Sequence, residues 1–170
     1  MKFLQPLCFY VWGLITMVYF SGLQGCDPLA GRDLAVTPNI WPVNMTGGYV
    51  SSEYGGRVHP IFGTWKKHDG IDLAVDEGTP VVATADGFVA FAGEEKGYGN
   101  IVRIAHGGGL VTGYAHNSKL LVREGEFVKK GQIIAMSGKT GRVTGEHLHY
   151  EVRYNDKSLN PRKFLPRNEW

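Results

Sequence analysis

Six histidines lie between positions 59 and 149 of this 170-residue chain. Three short stretches hold those placed to do chemistry. The first is His147-Leu148-His149, inside a run that alternates in polarity. In a strand, residues two apart project from the same side, their Cα atoms roughly 6.6 Å apart. His147 and His149 therefore stand side by side, in parity with Glu151 and Arg153, while Leu148, Tyr150 and Val152 take an apolar face. The second is His68-Asp69-Gly70-Ile71-Asp72. On a helix this pair would share a face, but Gly70 and the following Ile71 to Val75 favour a strand. Four extended residues span about 13 Å, whereas zinc takes its donors at about 2.0–2.2 Å. A bend near Asp69-Gly70 is therefore expected, bringing His68 back onto Asp72. The third is Thr112-Gly113-Tyr114-Ala115-His116, which, if extended, puts Thr112, Tyr114 and His116 on one face. Each spacing alone is ordinary. Imidazoles and a carboxylate gathered on turn-separated strands suggest one shared site, and that donor set suits Zn²⁺.

The elements that must position these groups are short strands. Val81 to Ala83, Phe88 to Phe91, Asn100 to Ala105, Leu110 to His116, Ile133 to Ser137 and His147 to Tyr154 are rich in β-branched or aromatic residues. Between them fall turn signals: Asp86-Gly87, Gly97-Tyr98-Gly99-Asn100, Gly107-Gly108-Gly109, Arg123-Glu124-Gly125 and Lys130-Gly131. Glycine, at 24 residues, has about twice its ordinary share. No stretch after residue 30 keeps a 3.6 period for ten residues, so the expectation is an all-β, mainly antiparallel, single domain over residues 49–170. A net charge of +2 from 18 basic and 16 acidic residues speaks against nucleic acid as the partner. A hydrophobic share of 43% with 20% charged excludes intrinsic disorder.

The N-terminus reads as a targeting segment. Phe3 to Phe20 is apolar and follows Lys2, and Leu23-Gln24-Gly25-Cys26 resembles the lipobox of bacterial lipoproteins. That resemblance implies a signal over residues 1–25, cleavage before Cys26 and acylation of its side chain, with an uncleaved anchor as the alternative. Asp27 resembles the residue that favours the inner membrane in some Gram-negative bacteria. Cys8 falls in the removed segment, so Cys26 would be the lone cysteine and no disulfide could form. Pro28, Pro38 and Pro42 mark residues 26–48 as a tether. The expected setting is the cell envelope, membrane-anchored and facing the periplasm.

From about Tyr49 to Leu165 the chain resembles the lysostaphin-type zinc endopeptidases, which cut peptide bonds in bacterial peptidoglycan. The matching motifs run in order. They are Tyr54-Gly55-Gly56-Arg57-Val58-His59-Pro60-Ile61, His68-Asp69-Gly70-Ile71-Asp72-Leu73-Ala74, Gly78-Thr79-Pro80-Val81 and Ala85-Asp86-Gly87. Tyr98-Gly99-Asn100, Tyr114-Ala115-His116, Gly131-Gln132 and Thr140-Gly141 follow. Gly145-Glu146-His147-Leu148-His149-Tyr150-Glu151-Val152 and Asn160-Pro161 complete the set.

The resemblance implies an architecture related to the barrel-sandwich hybrid, with an open metal-containing groove and one Zn²⁺ per chain. It implies His68, Asp72 and His149 as ligands and His116 and His147 as the unligated catalytic pair, with roles of base and acid not divided between them. Arg57 and Tyr114 become candidates for touching substrate. His59 and His106 are expected to be structural or at the rim. A departure from some relatives is the lack of a tyrosine just before His68; Tyr54 is the nearest. The expected partners are peptidoglycan cross-links, D-alanyl–diaminopimelate above all, and a membrane through Cys26. Nucleic acid is not expected, and the chain is expected to be a monomer. A rival class is a non-catalytic envelope module that binds peptidoglycan or activates amidases. Gly125 to Ala135 also resembles the hairpin of biotinyl and lipoyl carriers, but Lys129-Lys130 are not set in their modifiable turn.

Overall fold

The computed structural model describes residues 36–58 and 65–167. The N-terminal stretch read as a targeting segment, Cys26 and His59 lie outside them, as does the side chain of Arg57. In chain order the strands are β1 (Tyr49–Ser52), β2 (Gly55–Val58), β3 (Trp65–His68), β4 (Ile71–Ala74) and β5 (Pro80–Val82). Then come β6 (Gly87–Glu95), β7 (Gly99–Ala105), β8 (Leu110–Asn117), β9 (Lys119–Leu120) and β10 (Phe127–Val128). β11 (Ile133–Met136), β12 (Leu148–Tyr154) and β13 (Lys157–Leu159) complete the set among the described residues, and a 3₁₀ turn, Pro161–Lys163, follows. The fold is all-β, and its strand pairings are antiparallel.

An eight-stranded sheet runs β1-β4-β12-β8-β7-β6-β10, with β13 also paired to β12. Directly opposed residues of antiparallel strands project to the same side, so the register sorts the faces. Ile71, Tyr150, Tyr114 and Val102 form one row across β4, β12, β8 and β7. Leu73 and Leu148 are opposed beside them, and all six are fully buried. Asp72, His149 and Ala115 make a row on the opposite face. The alternation read in the sequence is thus the alternation of core and site.

A smaller sheet, β5-β11-β9, contributes buried Val81, Ile134 and Ala135. Thr84, just after β5, ties it to the large sheet. Its N–H donates to the Tyr114 hydroxyl at 2.9 Å, and its own hydroxyl lies 2.9 Å from Tyr114 Oη and 3.0 Å from Tyr150 Oη. Each tyrosine therefore buries its ring while its polar tip stays partnered, the condition on which a buried phenol is tolerated.

Two expectations need revising. The stretch expected to be tether does not stay free up to residue 48. The Val82 N–H donates to Pro42 O at 2.7 Å, the Asn39 N–H reaches Thr84 O, and Val43 bridges Val81. Val43 and Met45 are buried. Proline lacks a donor but keeps its carbonyl, so a proline-bearing segment can still supply acceptors to the edge strand β5. Second, Gly125 to Ala135 is not one hairpin: β10 pairs with β6, whereas β11 pairs with β5 and β9.

Candidate metal centre

β3 ends at His68 and β4 begins at Ile71, so the chain bends where the spacing requires it. Gly70 permits the bend: a Cβ there would stand 2.3 Å from the Tyr150 carbonyl oxygen and 2.9 Å from His149 Cε1. The turn brings His68 Nε2 to 3.1 Å from Asp72 Oδ1 and 3.2 Å from His149 Nδ1. Asp72 and His149, opposed across β4 and β12, close the triangle at 2.8 Å. These three side chains form a group able to hold a metal ion.

The outer partners fix which nitrogen faces inward. His68 Nδ1 lies 2.8 Å from the Glu53 carbonyl oxygen, and His149 Nε2 lies 3.0 Å from Glu151 Oε1. Carbonyls and ionised carboxylates only accept, so those nitrogens carry the protons. With both rings neutral, the inward nitrogens present lone pairs to each other and to Asp72. Three acceptors converge within 3.2 Å, and neutral imidazoles cannot satisfy that arrangement among themselves. A cation can. Donors of a tetrahedral zinc stand about 3.3–3.6 Å apart, so the trio needs to spread by only a few tenths of an ångström. The donor set fits Zn²⁺.

Charge follows the same geometry. Burial pushes the Asp72 carboxyl up, but His149 and His68 outweigh burial and hold it well below the usual carboxylate range. Burial pulls the His149 imidazole down, yet the Asp72 and Glu151 carboxylates push it up to about 9, so without metal a proton on Nδ1 toward Asp72 holds the place a cation would take. The pocket attracts positive charge.

His116 reaches this face by breaking the strand's alternation. Between Tyr114 and Asn117, β8 holds one residue more than its partner β7 does between Val102 and Asn100. His116 sits in this bulge at φ 66°. Bulges redirect a side chain next to functional sites, and here the imidazole leaves the row of Thr112 and Tyr114. Its ring centroid is 4.8 Å from that of His147 and 5.8 Å from that of His149. His116 Nδ1 lies 2.9 Å from the Thr140 carbonyl oxygen and His147 Nδ1 lies 2.9 Å from that of Gly145. Each Nδ1 thus donates to a backbone carbonyl and leaves Nε2 facing the site, that of His147 3.7 Å from Asp72 Oδ1. Burial lowers the His116 pKa to about 4, so this imidazole is neutral at physiological pH.

The structure thus brings together five of the expected side chains: His68, Asp72, His149, His116 and His147. It corrects Tyr114, which is fully buried on the other face with its hydroxyl held by Thr84 and Thr112. The shared parity of Tyr114 and His116 fails because of the bulge. Arg57 lies on β2 opposite Lys66. Tyr54 donates its hydroxyl to Ser158 O at 2.9 Å, engaged with β13. His106 is structural: Nδ1 lies 2.7 Å from Asp86 O and Nε2 2.7 Å from Thr112 Oγ1.

Two residues named in the sequence were given no role there. Glu151, 1% exposed, could have been found from its parity with His149. Thr140 falls in a matching motif, Thr140-Gly141, but nothing local ties it to His116, which it meets from a separate loop.

Residues 66–161 match Peptidase family M23. The chain is 50% identical over 123 residues to the DD-carboxypeptidase/endopeptidase Mpg of Neisseria meningitidis serogroup B, covering 72% of this chain and 28% of that protein. It is 45% identical over 113 residues to the murein hydrolase activator NlpD of Escherichia coli K12, covering 65% and 30%. A crystal structure of a zinc-containing peptidase from Vibrio cholerae aligns with a TM-score of 0.69 at 37% identity, covering 73% of this chain and 39% of that one. The chain spans less than a third of the length of these two curated relatives. The matched segment takes in more than half of the chain and all five converging side chains, so the resemblance read from the motifs is met: the chain belongs to Peptidase family M23.

Proposed function

We propose that this chain is a zinc-dependent endopeptidase that hydrolyses peptide cross-links of bacterial peptidoglycan, with D-alanyl–diaminopimelate bonds as its substrate. The observation that carries this reading is the convergence of three metal-type donors beside two further imidazoles whose Nδ1 atoms are held by backbone carbonyls, which turns Nε2 toward the site. Support for a peptidase comes from the family match and from the similarity to Mpg.

When bound, zinc would supply Lewis acidity, polarising a carbonyl and acidifying water toward neutrality. His68, Asp72 and His149 would hold it. His116, kept neutral by burial, has its Nε2 lone pair available and takes the proton from the attacking water. His147, whose Nε2 stands next to Asp72, acts in its protonated form and hands the Nε2 proton to the leaving amine. The backbone carbonyls of Thr140 and Gly145 hold both rings with Nδ1–H outward and Nε2 toward the site.

Digestion of murein of known cross-link chemistry, with and without a chelator, tests this reading. Mass spectrometry should show cleaved D-alanyl–diaminopimelate bonds only with metal present; intact cross-links under both conditions would overturn it. The similarity to NlpD favours a second reading, a hydrolase activator. That reading would be supported if the chain cut nothing itself yet raised the rate of an amidase. The proposed setting is the periplasmic face of the inner membrane through acylated Cys26. Labelling with a palmitate analogue, lost in Cys26→Ser, tests it.

A further inference from the structure

Glu151 is a carboxylate without an assigned role, and it is almost wholly removed from water. An ionised carboxylate is costly to bury unless its oxygens are well partnered. Here they are: Oε1 lies 3.0 Å from His149 Nε2 and accepts from the Tyr98 hydroxyl at 2.8 Å, while Oε2 accepts from Arg153 Nη1 at 3.1 Å. Arg153 is held in turn by the Asp156 carbonyl oxygen at 2.8 Å, and Arg103 lies 5.5 Å from the centroid of the Tyr98 ring. Parity along β12 puts Glu151 directly behind His149, on the side away from Asp72. The alternative of an apolar residue at 151 would leave His149 free to turn over or to present its other nitrogen.

We infer that Glu151 is a positioning residue for the metal: it holds the proton of His149 on Nε2, so that Nδ1 faces Asp72 and His68. It touches neither substrate nor metal and acts through His149, with Tyr98 and Arg153 keeping its carboxylate in place. A partner of this kind on a ligating imidazole is worth roughly 10–100-fold in metal affinity. This inference rests on the zinc reading above.

The experiment measures zinc affinity of the full chain by competition with a chelating indicator, for wild type, Glu151→Gln and Glu151→Ala. Glu151→Ala should bind zinc about 10–100-fold more weakly. Glu151→Gln, whose amide oxygen still accepts from Nε2–H, should recover most of that loss. Wild-type affinity in Glu151→Ala would overturn the role. Nitrogen-detected histidine NMR of the unaltered zinc-loaded chain keeps the test decisive if the alanine variant does not fold. A His149 proton on Nε2 supports the assignment and one on Nδ1 overturns it. A wild-type chain that takes up no zinc would instead overturn the underlying metal reading, and this role with it.

Discussion

His116 Nδ1 and the carbonyl oxygen of Thr140 stand 2.9 Å apart, so this imidazole is aimed by a loop as well as by its own strand. The strand's part is the His116 N–H, which donates to Tyr98 O at 2.9 Å. Thr140 is itself pinned. Its hydroxyl donates to Asn117 O at 2.8 Å and accepts from the Asn100 N–H at 3.0 Å. The glycines at the crossing allow that approach, since a Cβ on Gly99 would stand 2.4 Å from the Thr140 carbonyl carbon. The orientation of His116 therefore depends on a hydroxyl that touches neither its ring nor the three metal-type donors.

Thr140→Val removes that hydroxyl and keeps the shape. A misplacement of about 1 Å can cost 10²-fold in rate, so turnover on purified sacculi should fall about 10–100-fold. Zinc affinity should stay within about twofold, because His68, Asp72 and His149 are untouched. Unchanged turnover would show that the loop does not aim the imidazole.

Removing a metal-type donor and removing a proton carrier should look different. His149→Ala is expected to lose both zinc, read by elemental analysis after purification, and activity. It should also lose the stabilisation that zinc confers, about 4 kcal/mol at a metal concentration 1,000 times Kd, visible as a melting temperature no longer lowered by chelator. His116→Ala should keep its metal and the chelator-sensitive melt while losing about 10²–10⁴-fold in turnover. Full activity in His116→Ala would remove that residue from the mechanism.

The pH response of the metal-free chain follows from burial of the same ring. Its folded-state pKa of about 4 lies below the ordinary imidazole value of 6.5. The folded state then binds fewer protons than the unfolded one as pH falls below 6.5. The stability associated with the neutral ring is present above that value and is lost progressively as pH falls through 4. The difference amounts to about 3 kcal/mol. Histidine NMR should show the His116 ring titrating near 4, and His116→Gln should lose less stability than wild type between pH 7 and 4. A ring that titrates near 6.5 would contradict this.

Tyr114→Phe separates core from groove. The hydroxyl meets Thr84 and Thr112 in a fully buried setting, so its removal should cost about 1–3 kcal/mol in denaturant unfolding. KM for a cross-linked substrate should be unaffected. A raised KM with unchanged stability would restore Tyr114 as a substrate contact.

Much of this site was legible because period-2 alternation is enforced by packing. With Leu148, Tyr150 and Val152 committed to the core, His149 and Glu151 had to share the other face. The bend at Asp69–Gly70 followed from reach alone, since no extended chain could return His68 to Asp72. Alternation failed at Tyr114 and His116 because a one-residue bulge leaves no mark in polarity. The docking of residues 39–45 was hidden for a related reason: prolines announce the missing donor and not the carbonyls that remain. Contacts from Thr140 to His116 and from Tyr98 to Glu151 span 24 and 53 residues, and no local pattern encodes them.

The left-handed backbone at His116 has an evolutionary corollary. At φ 66° a side chain with a Cβ is disfavoured by about 1 kcal/mol or more, and glycine is spared that penalty. Under the proposed function, selection for hydrolysis and selection for robustness thus pull in opposite directions at one codon. A descendant freed from cutting would be expected to keep the sheet and drift toward glycine at this position. His116→Gly should accordingly melt higher than His116→Ala, and the reverse order would mean the bulge carries no such tension.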